Sequence, residues 1–178
     1  MQARARHGQA MKRLVTISLA LCVLALGAAT AAAAEGSWGS WEPTSQGPVG
    51  IPAGAVCPFA VSAEPVHQNL AVRYHYDDSG AVDAYEFKGS LLARITNLDT
   101  GASIERSLSG FGTVTPHPDG SYDAVFEGGL LLLLGSGDSP SSQLLLLTGR
   151  TVLHGSATGV KTVVAASGAS EDLCETLE

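Results

Sequence analysis

The chain has 178 residues, 45% of them hydrophobic and 15% charged, with a formal net charge of −7. Every Asp and Glu lies after Ala34, whereas Arg4, Arg6, Lys12 and Arg13 lie before it, which leaves six of the 10 basic side chains against 17 acidic ones, a net charge of −11. That balance favours solubility and argues against nucleic acid or an anionic membrane surface as a partner.

Translation can start at Met1 or Met11. Met11-Lys12-Arg13 opens a positive segment, Leu14 to Gly27 is apolar, and Ala32-Ala33-Ala34 is a small-residue exit. This is the order of a secretory signal peptide, so residues 1–34 are expected to be removed after Ala34 and the mature protein to be extracellular. Cys22 follows Leu21, where a lipidated cysteine needs a small residue, and no twin-arginine pair is present. Residues 35–55 are rich in Gly, Ser and Pro and read as a flexible leader. Its Trp38 and Trp41 either grip a sugar or partner, or fold back onto the domain.

Residues 56–178 read as one β-domain. Cys57 to Ala63 is the first expected strand, and Asn69 to Tyr76 the second. In the latter, Leu70, Val72, Tyr74 and Tyr76 alternate against Arg73 and His75, the pattern of a half-buried strand. Asp77 to Gly80 is a turn. Tyr85 to Leu98 puts Tyr85, Phe87, Leu91, Ala93 and Ile95 on one face, with Gly89 in the same row marking a bend. Asn97 to Gly101 has hairpin-turn chemistry. In Ser103 to Thr115, Phe111 falls on the wrong parity for Ile104 and Leu108, which predicts a bulge at Gly110 or Gly112. Pro116 to Gly120 is a turn, and Tyr122, Ala124 and Phe126 alternate after it.

The most apolar stretch follows. Leu130 to Leu134 and Leu144 to Leu147 flank a loop from Gly135 to Ser142. Both runs are far short of the ~20 apolar residues a membrane helix needs, so no membrane span is expected in the mature chain. Leucine favours helix, but the flanking glycines are costly there and ordinary at strand ends, so the stretch reads as two antiparallel strands. Thr148 to His154 extends the second, Val160 to Ala166 is a last short strand, and Ser170 to Leu177 is a helical turn capped by Ser170. Consecutive leucines point to both faces, whereas a simple barrel wall buries only one. Cover of the outer face by the protein itself is expected.

Seven to eight strands joined by short turns predict an all-β domain: a single antiparallel β-barrel, with a β-sandwich as the alternative and a short C-terminal helical turn. Cys57 and Cys174 survive processing and are expected to form a disulfide in an oxidising compartment. Closing a loop of ~100 residues is worth roughly 4–5 kcal/mol in the chain-entropy account. A zinc site would need closer cysteines.

Chemistry is sparse. His67, His75, His117 and His154 have no metal-ligand spacing, although His75 and His154 are both on expected strands. Gly137-Asp138-Ser139 and Gly155 to Gly159 are turn sequences without the glycine pattern of a serine nucleophile. Asp99, Asp119 and Asp138 are turn carboxylates that could serve calcium, but no loop has alternating oxygen ligands. No catalytic residue, metal ligand or cofactor is assigned.

With Cys57-Pro58-Phe59, the Asn97 to Gly101 turn, Gly110 to Thr113, Asp119-Gly120-Ser121, the apolar hairpin and Asp172-Leu173-Cys174 in view, the chain resembles a group of small uncharacterised secreted β-proteins of high-GC Gram-positive bacteria, the actinobacteria. The resemblance spans Cys57 to Cys174 and implies a secreted β-domain with a terminal disulfide, and no activity.

The expected function is a secreted, non-enzymatic β-barrel module that binds a small apolar ligand or an envelope or extracellular protein, with Tyr74, Phe87 and Phe126 as the candidate pocket. The alternatives are a small secreted enzyme, a barrel-type cyclase, isomerase or hydrolase with His75, Arg94 or Arg150 turned inward, or an inhibitor or adhesion module that uses the Gly135 to Ser142 loop.

Overall fold

A computed structural model describes residues 36–178, so the expected signal peptide and its cleavage point lie outside the described residues. The regular structure of the described chain is almost entirely antiparallel β. Strands β1 (Ser37–Trp38), β2 (Glu42–Thr44) and β3 (Val49–Ile51) precede two long strands, β4 (Val61–Tyr76) and β5 (Val82–Asn97). Then follow β6 (Ser103–Ser107), β7 (Gly110–Pro116), β8 (Tyr122–Gly128), β9 (Leu130–Leu134) and β10 (Gln143–Leu147). The last are β11 (Arg150–Gly155), β12 (Lys161–Ala166), β13 (Ser170–Asp172) and the helical turn α1 (Leu173–Thr176).

Ten strands form one sheet in the order β1-β4-β5-β7-β8-β11-β12, with β2 and β3 also on β4 and β6 also on β5. The leucine strands β9 and β10 join β13 in a separate three-stranded sheet. The larger sheet runs from β1 to β12 without these two strands pairing, so the expected closed barrel of seven to eight strands is not formed.

A row of glycines explains the architecture. Gly89 pairs with Gly110, Gly110 pairs with Gly128, and the Gly128 N–H donates to the Gly149 carbonyl. Gly149 in turn lies against Gly168. At Gly89 (φ +140°) a Cβ would collide with the Asn69 carbonyl, and at Gly128 (φ +112°) with that of Ser109. Only glycine lets neighbouring backbones approach this closely in such conformations. Four strand pairs change element at this row: β6 to β7, β8 to β9, β10 to β11 and β12 to β13. In the last three the chain also changes sheet. Glycine kinks aligned across strands are a device for curving a sheet.

The bend answers the problem of the two-faced leucines. Leu144 and Leu146, with their partners Leu133 and Leu131, pack into a first core with Ile51, Val61, Ala93, Ile95, Leu173 and Leu177. Leu145 and Leu147, with Leu132 and Leu130, pack into a second core with Val114, Ala124, Leu153, Phe87 and Phe126. The residues meeting the two faces come from opposite sides of the glycine row. The small sheet is therefore an interior layer, covered on both faces by the large sheet and α1, which is why its strands tolerate a continuous apolar run.

Several expectations are corrected. Residues 36–51 do not stand apart as a flexible leader: β1, β2 and β3 pair with β4 as successive edge strands, with Pro43 inside β2 and Pro48 and Pro52 flanking β3. Proline, which lacks an N–H, suits such an edge. The expected strand Cys57 to Ala63 is strand only from Val61, where it runs on into the second expected strand as β4, with a bulge between Pro65 and His67. No bulge occurs at Gly110 or Gly112. The pairs Leu92–Ser107 and Gly89–Gly110 share one register, and the ladder is only interrupted, where the Ser109 hydroxyl accepts the Leu91 N–H at 3.1 Å. Phe111 accordingly stays on the outer face, cross-strand from Lys88 and Glu127. The helical turn is capped by Asp172, not Ser170. Cys57 and Cys174 are joined, with Cα atoms 5.3 Å apart, tying α1 to the segment between β3 and β4.

Candidate functional site

The glycine row leaves space as well as a bend. On the inner face of the large sheet its members contribute no side chains, and Ala63 and Ala93 nearby contribute little. The result is a cavity of about 330 Å³ at the seam between the two cores. Leu91, Leu108, Leu131 and Leu133 wall it on the side of the first core, and Phe87, Phe126 and Leu130 on the side of the second. Gln46 and Gly47, from the link between β2 and β3, and Val49 of β3 border it. That link is held by one side chain: Gln68 accepts the Gln46 N–H at 2.7 Å and donates to the Gln46 carbonyl at 3.1 Å. The Gln68 amide thus imitates a strand partner in the gap between β2 and β3.

A second cavity of about 370 Å³ lies on the other side of Phe87 and Phe126, bordered by Tyr85, Val114, Ser121, Tyr122 and Leu153. Phe87 and Phe126 line both cavities. Their ring centroids are 5.7 Å apart, and the rings meet over Gly112, where a Cβ would strike Phe87. Tyr122 crosses Gly155 in the same manner. A run of aromatic contacts connects Tyr74, Tyr85, Phe87 and Phe126, with centroids 6.3, 6.4 and 5.7 Å apart. Of the three residues expected to form a pocket, Phe87 and Phe126 are brought together, while Tyr74 is at the exposed end of the run and borders neither cavity. Burial, then the neighbouring Tyr122 and Tyr74, raises the Tyr85 hydroxyl above its ordinary pKa.

The polar clusters are elsewhere. On the outer face, Arg73 lies between Trp38 and Trp41, 4.5 and 4.7 Å from their centroids, and the Lys88 ammonium stands 4.0 Å over Trp41. Arg73 also donates to Glu86 at 2.6 Å. The tryptophans thus fold back onto the domain, and their ring faces are engaged by its own cations. His75 lies beside Trp38 and bonds Asp83, away from His154. Asp123 instead joins His154 (2.8 Å) and His117 (2.9 Å) on an exposed surface, and those bonds, that of His154 first, hold its carboxyl below the usual range.

Of the three turn carboxylates, Asp99 sits in the Asn97 turn, where Asn97 accepts its N–H, and Asp119 accepts from Ser121. Asp138 is the latch of the Gly135 to Ser142 loop. It accepts the N–H groups of Lys161 (2.6 Å) and Gly135 (2.7 Å) and pairs with the Lys161 ammonium (2.9 Å). Burial pushes its carboxyl up, but these bonds outweigh burial and leave it below the ordinary value. The loop is thereby fixed to β12. Arg94 pairs with Glu105 in solvent, and Arg106 reaches from β6 to Glu171 of β13 with bonds of 2.9 and 2.7 Å. Among the described residues, no group of three His, Cys, Asp or Glu is arranged to hold a metal ion, and neither cavity is lined by histidine or arginine.

The first cavity thus combines apolar walls with a polar border. Set against protein-family models, curated proteins and solved structures, the chain finds no match in any of the three.

Proposed function

We propose that this is an exported, non-enzymatic β-module that holds a small apolar ligand in the cavity between its two cores. The cavity itself carries the reading. Its 330 Å³ falls within the ~300–1,000 Å³ of small-molecule sites, which are walled by apolar and aromatic side chains with few polar groups. It also lies in a molecule that packs Leu134, Leu144, Leu173 and Leu177 to almost no exposure. Apolar groups facing a void forfeit contacts that a ligand would restore. Export is supported by the order of residues 1–34, by the disulfide and by the resemblance to small secreted β-proteins. No helix among the described residues is long and apolar enough to cross a membrane.

Binding is tested by titrating the purified protein with N-phenyl-1-naphthylamine, which fluoresces in apolar surroundings. Saturable enhancement with one site per chain is expected; a linear, non-saturating response would refute the reading. Export is tested by sequencing the N-terminus of protein recovered from culture medium. Glu35 is expected as its first residue, and retention in cells with residues 1–34 attached would contradict it.

A further inference from the structure

Resting on that reading, we propose that the two cavities are one channel divided by Phe87 and Phe126, and that its ligand is a single-chain amphiphile with an uncharged, hydrogen-bonding head group.

The shared wall is the first ground. Phe87 and Phe126 border both cavities, and their rings stand over Gly112, which offers no side chain to fix them. Both rings are only half-buried. A partition made of two side chains, with a bare glycine beneath, yields by rotation about side-chain bonds and leaves the backbone in place. A rigid compact ligand would fill one cavity, whereas a chain threads past the pair and uses both.

The two ends differ in chemistry, which orients such a chain. The first cavity is walled by leucines and suits an alkyl tail. The second is bordered by Tyr85, Tyr122 and Ser121, whose hydroxyls both donate and accept. Tyr85 and Tyr122 border this cavity together, and the Tyr74 ring lies 6.3 Å from that of Tyr85.

Charge selects the head group. Among the described residues lining either cavity, Lys88 is the one cation, and its ammonium is turned to the outer face over Trp41. Glu64 and Glu127 reach the border of the first cavity from that same outer face, cross-strand from Arg94 and Phe111, and both are exposed. A carboxylate or phosphate would enter with no cation to meet it, and an unpaired charge in an apolar site is strongly disfavoured. A hydroxyl, ester or amide head carries no such penalty.

The test displaces bound N-phenyl-1-naphthylamine with monoacylglycerols and with fatty acids of matched chains, octyl to hexadecyl, at neutral pH. Wild type is compared with Phe126→Leu, Phe126→Ala and Tyr122→Phe, each checked by its melting temperature. Monoacylglycerols are expected to displace the probe at concentrations about tenfold or more below those of the matched acids, a difference of about 1.4 kcal/mol. The best chain length is expected to increase in Phe126→Leu and further in Phe126→Ala, and Tyr122→Phe to narrow the preference over acids. Equal displacement by acids and monoacylglycerols, or an unchanged optimum in folded Phe126→Leu, would overturn the inference and leave apolar binding intact. Absence of any saturable probe binding would overturn the underlying reading and this inference with it.

Discussion

On one side of the glycine row, Val61, Ile95, Leu144 and Leu173 have no exposure left, and the Cys57–Cys174 bridge and the Arg106–Glu171 pair fasten the layers together. On the other side, Phe87, Phe126, Tyr122 and Leu130 are only partly buried; one cavity opens among the rings and another at the seam with the first core. One hairpin serves both cores, with Leu144 and Leu146 facing the first and Leu145 and Leu147 the second. The difference therefore arises in the large sheet. Its first part meets the leucines with Val, Ile and Ala in close packing. Its second part meets them with rings set over glycines, which leave gaps. On the proposed reading, stability is concentrated in the first core, and the ligand lies at the seam and among the rings of the second.

The largest effect that would sharpen this contrast is loss of the disulfide. Cys57→Ser with Cys174→Ser is expected to cost about 2–5 kcal/mol in urea unfolding. Because the bridge belongs to the first core, affinity for the naphthylamine probe should be retained wherever the variant is still folded.

Leucine truncation tests the contrast within one hairpin. Leu144→Ala, at no exposure in the first core, is expected to cost about 3–4 kcal/mol, whereas Leu130→Ala, beside existing space, should cost about 1–2 kcal/mol. Equal losses would break the distinction between the cores.

Acid should act on both sides at once. The carboxyl of Glu171 is held below its ordinary value, first by the bond from Arg106. That of Asp138 is lowered by Lys161 and Gly135 against burial, and those of Asp77 and Asp119 are lowered first by Ser79 and Ser121. With a lower pKa folded than unfolded, each group binds more protons in the unfolded chain, so its contribution is complete above the unfolded value of about 4 and lost as pH falls through the folded one. Melting temperature is expected to be level from neutrality to about pH 5 and to fall below about pH 4, less steeply in Asp138→Asn. A decline beginning near neutrality would contradict this assignment.

The smallest effect is expected on the outer face. Arg73→Ala removes a cation stacked between Trp38 and Trp41 and should cost about 1 kcal/mol. It should change tryptophan emission and leave probe affinity unchanged. A large loss of binding would place the functional surface outside the cavity.

Much of this fold was legible along the chain. Alternation located the second half of β4 and nearly all of β5, the Asp77 to Gly80, Asn97 to Gly101 and Pro116 to Gly120 turns marked hairpins, and the Gly135 to Ser142 loop has the bounds expected of it. Features that depend on register between strands were not. Gly89 was recognisable as a bend, but its alignment with Gly110 and Gly128 is a cross-strand property, and with it went the cavity. The parity of Phe111 suggested a bulge because the inner position taken by Gly112 has meaning only beneath Phe87 and Phe126. Strands β1 to β3 lack alternation because an edge strand can be held by backbone bonds and by a side chain such as Gln68. Phe87 and Phe126 could be chosen as large inward residues; Tyr85 and Tyr122 were equally visible, but their place at the second cavity was not.

The most direct test of the account fills the seam. Leu108→Trp places an indole where the leucine walls the first cavity, at the interruption between β6 and β7 where no ladder pair is disturbed. Probe affinity should fall by about tenfold or more, with a melting temperature equal to or above that of wild type. Undiminished binding by a folded Leu108→Trp protein would show that the ligand site is not the cavity between the two cores.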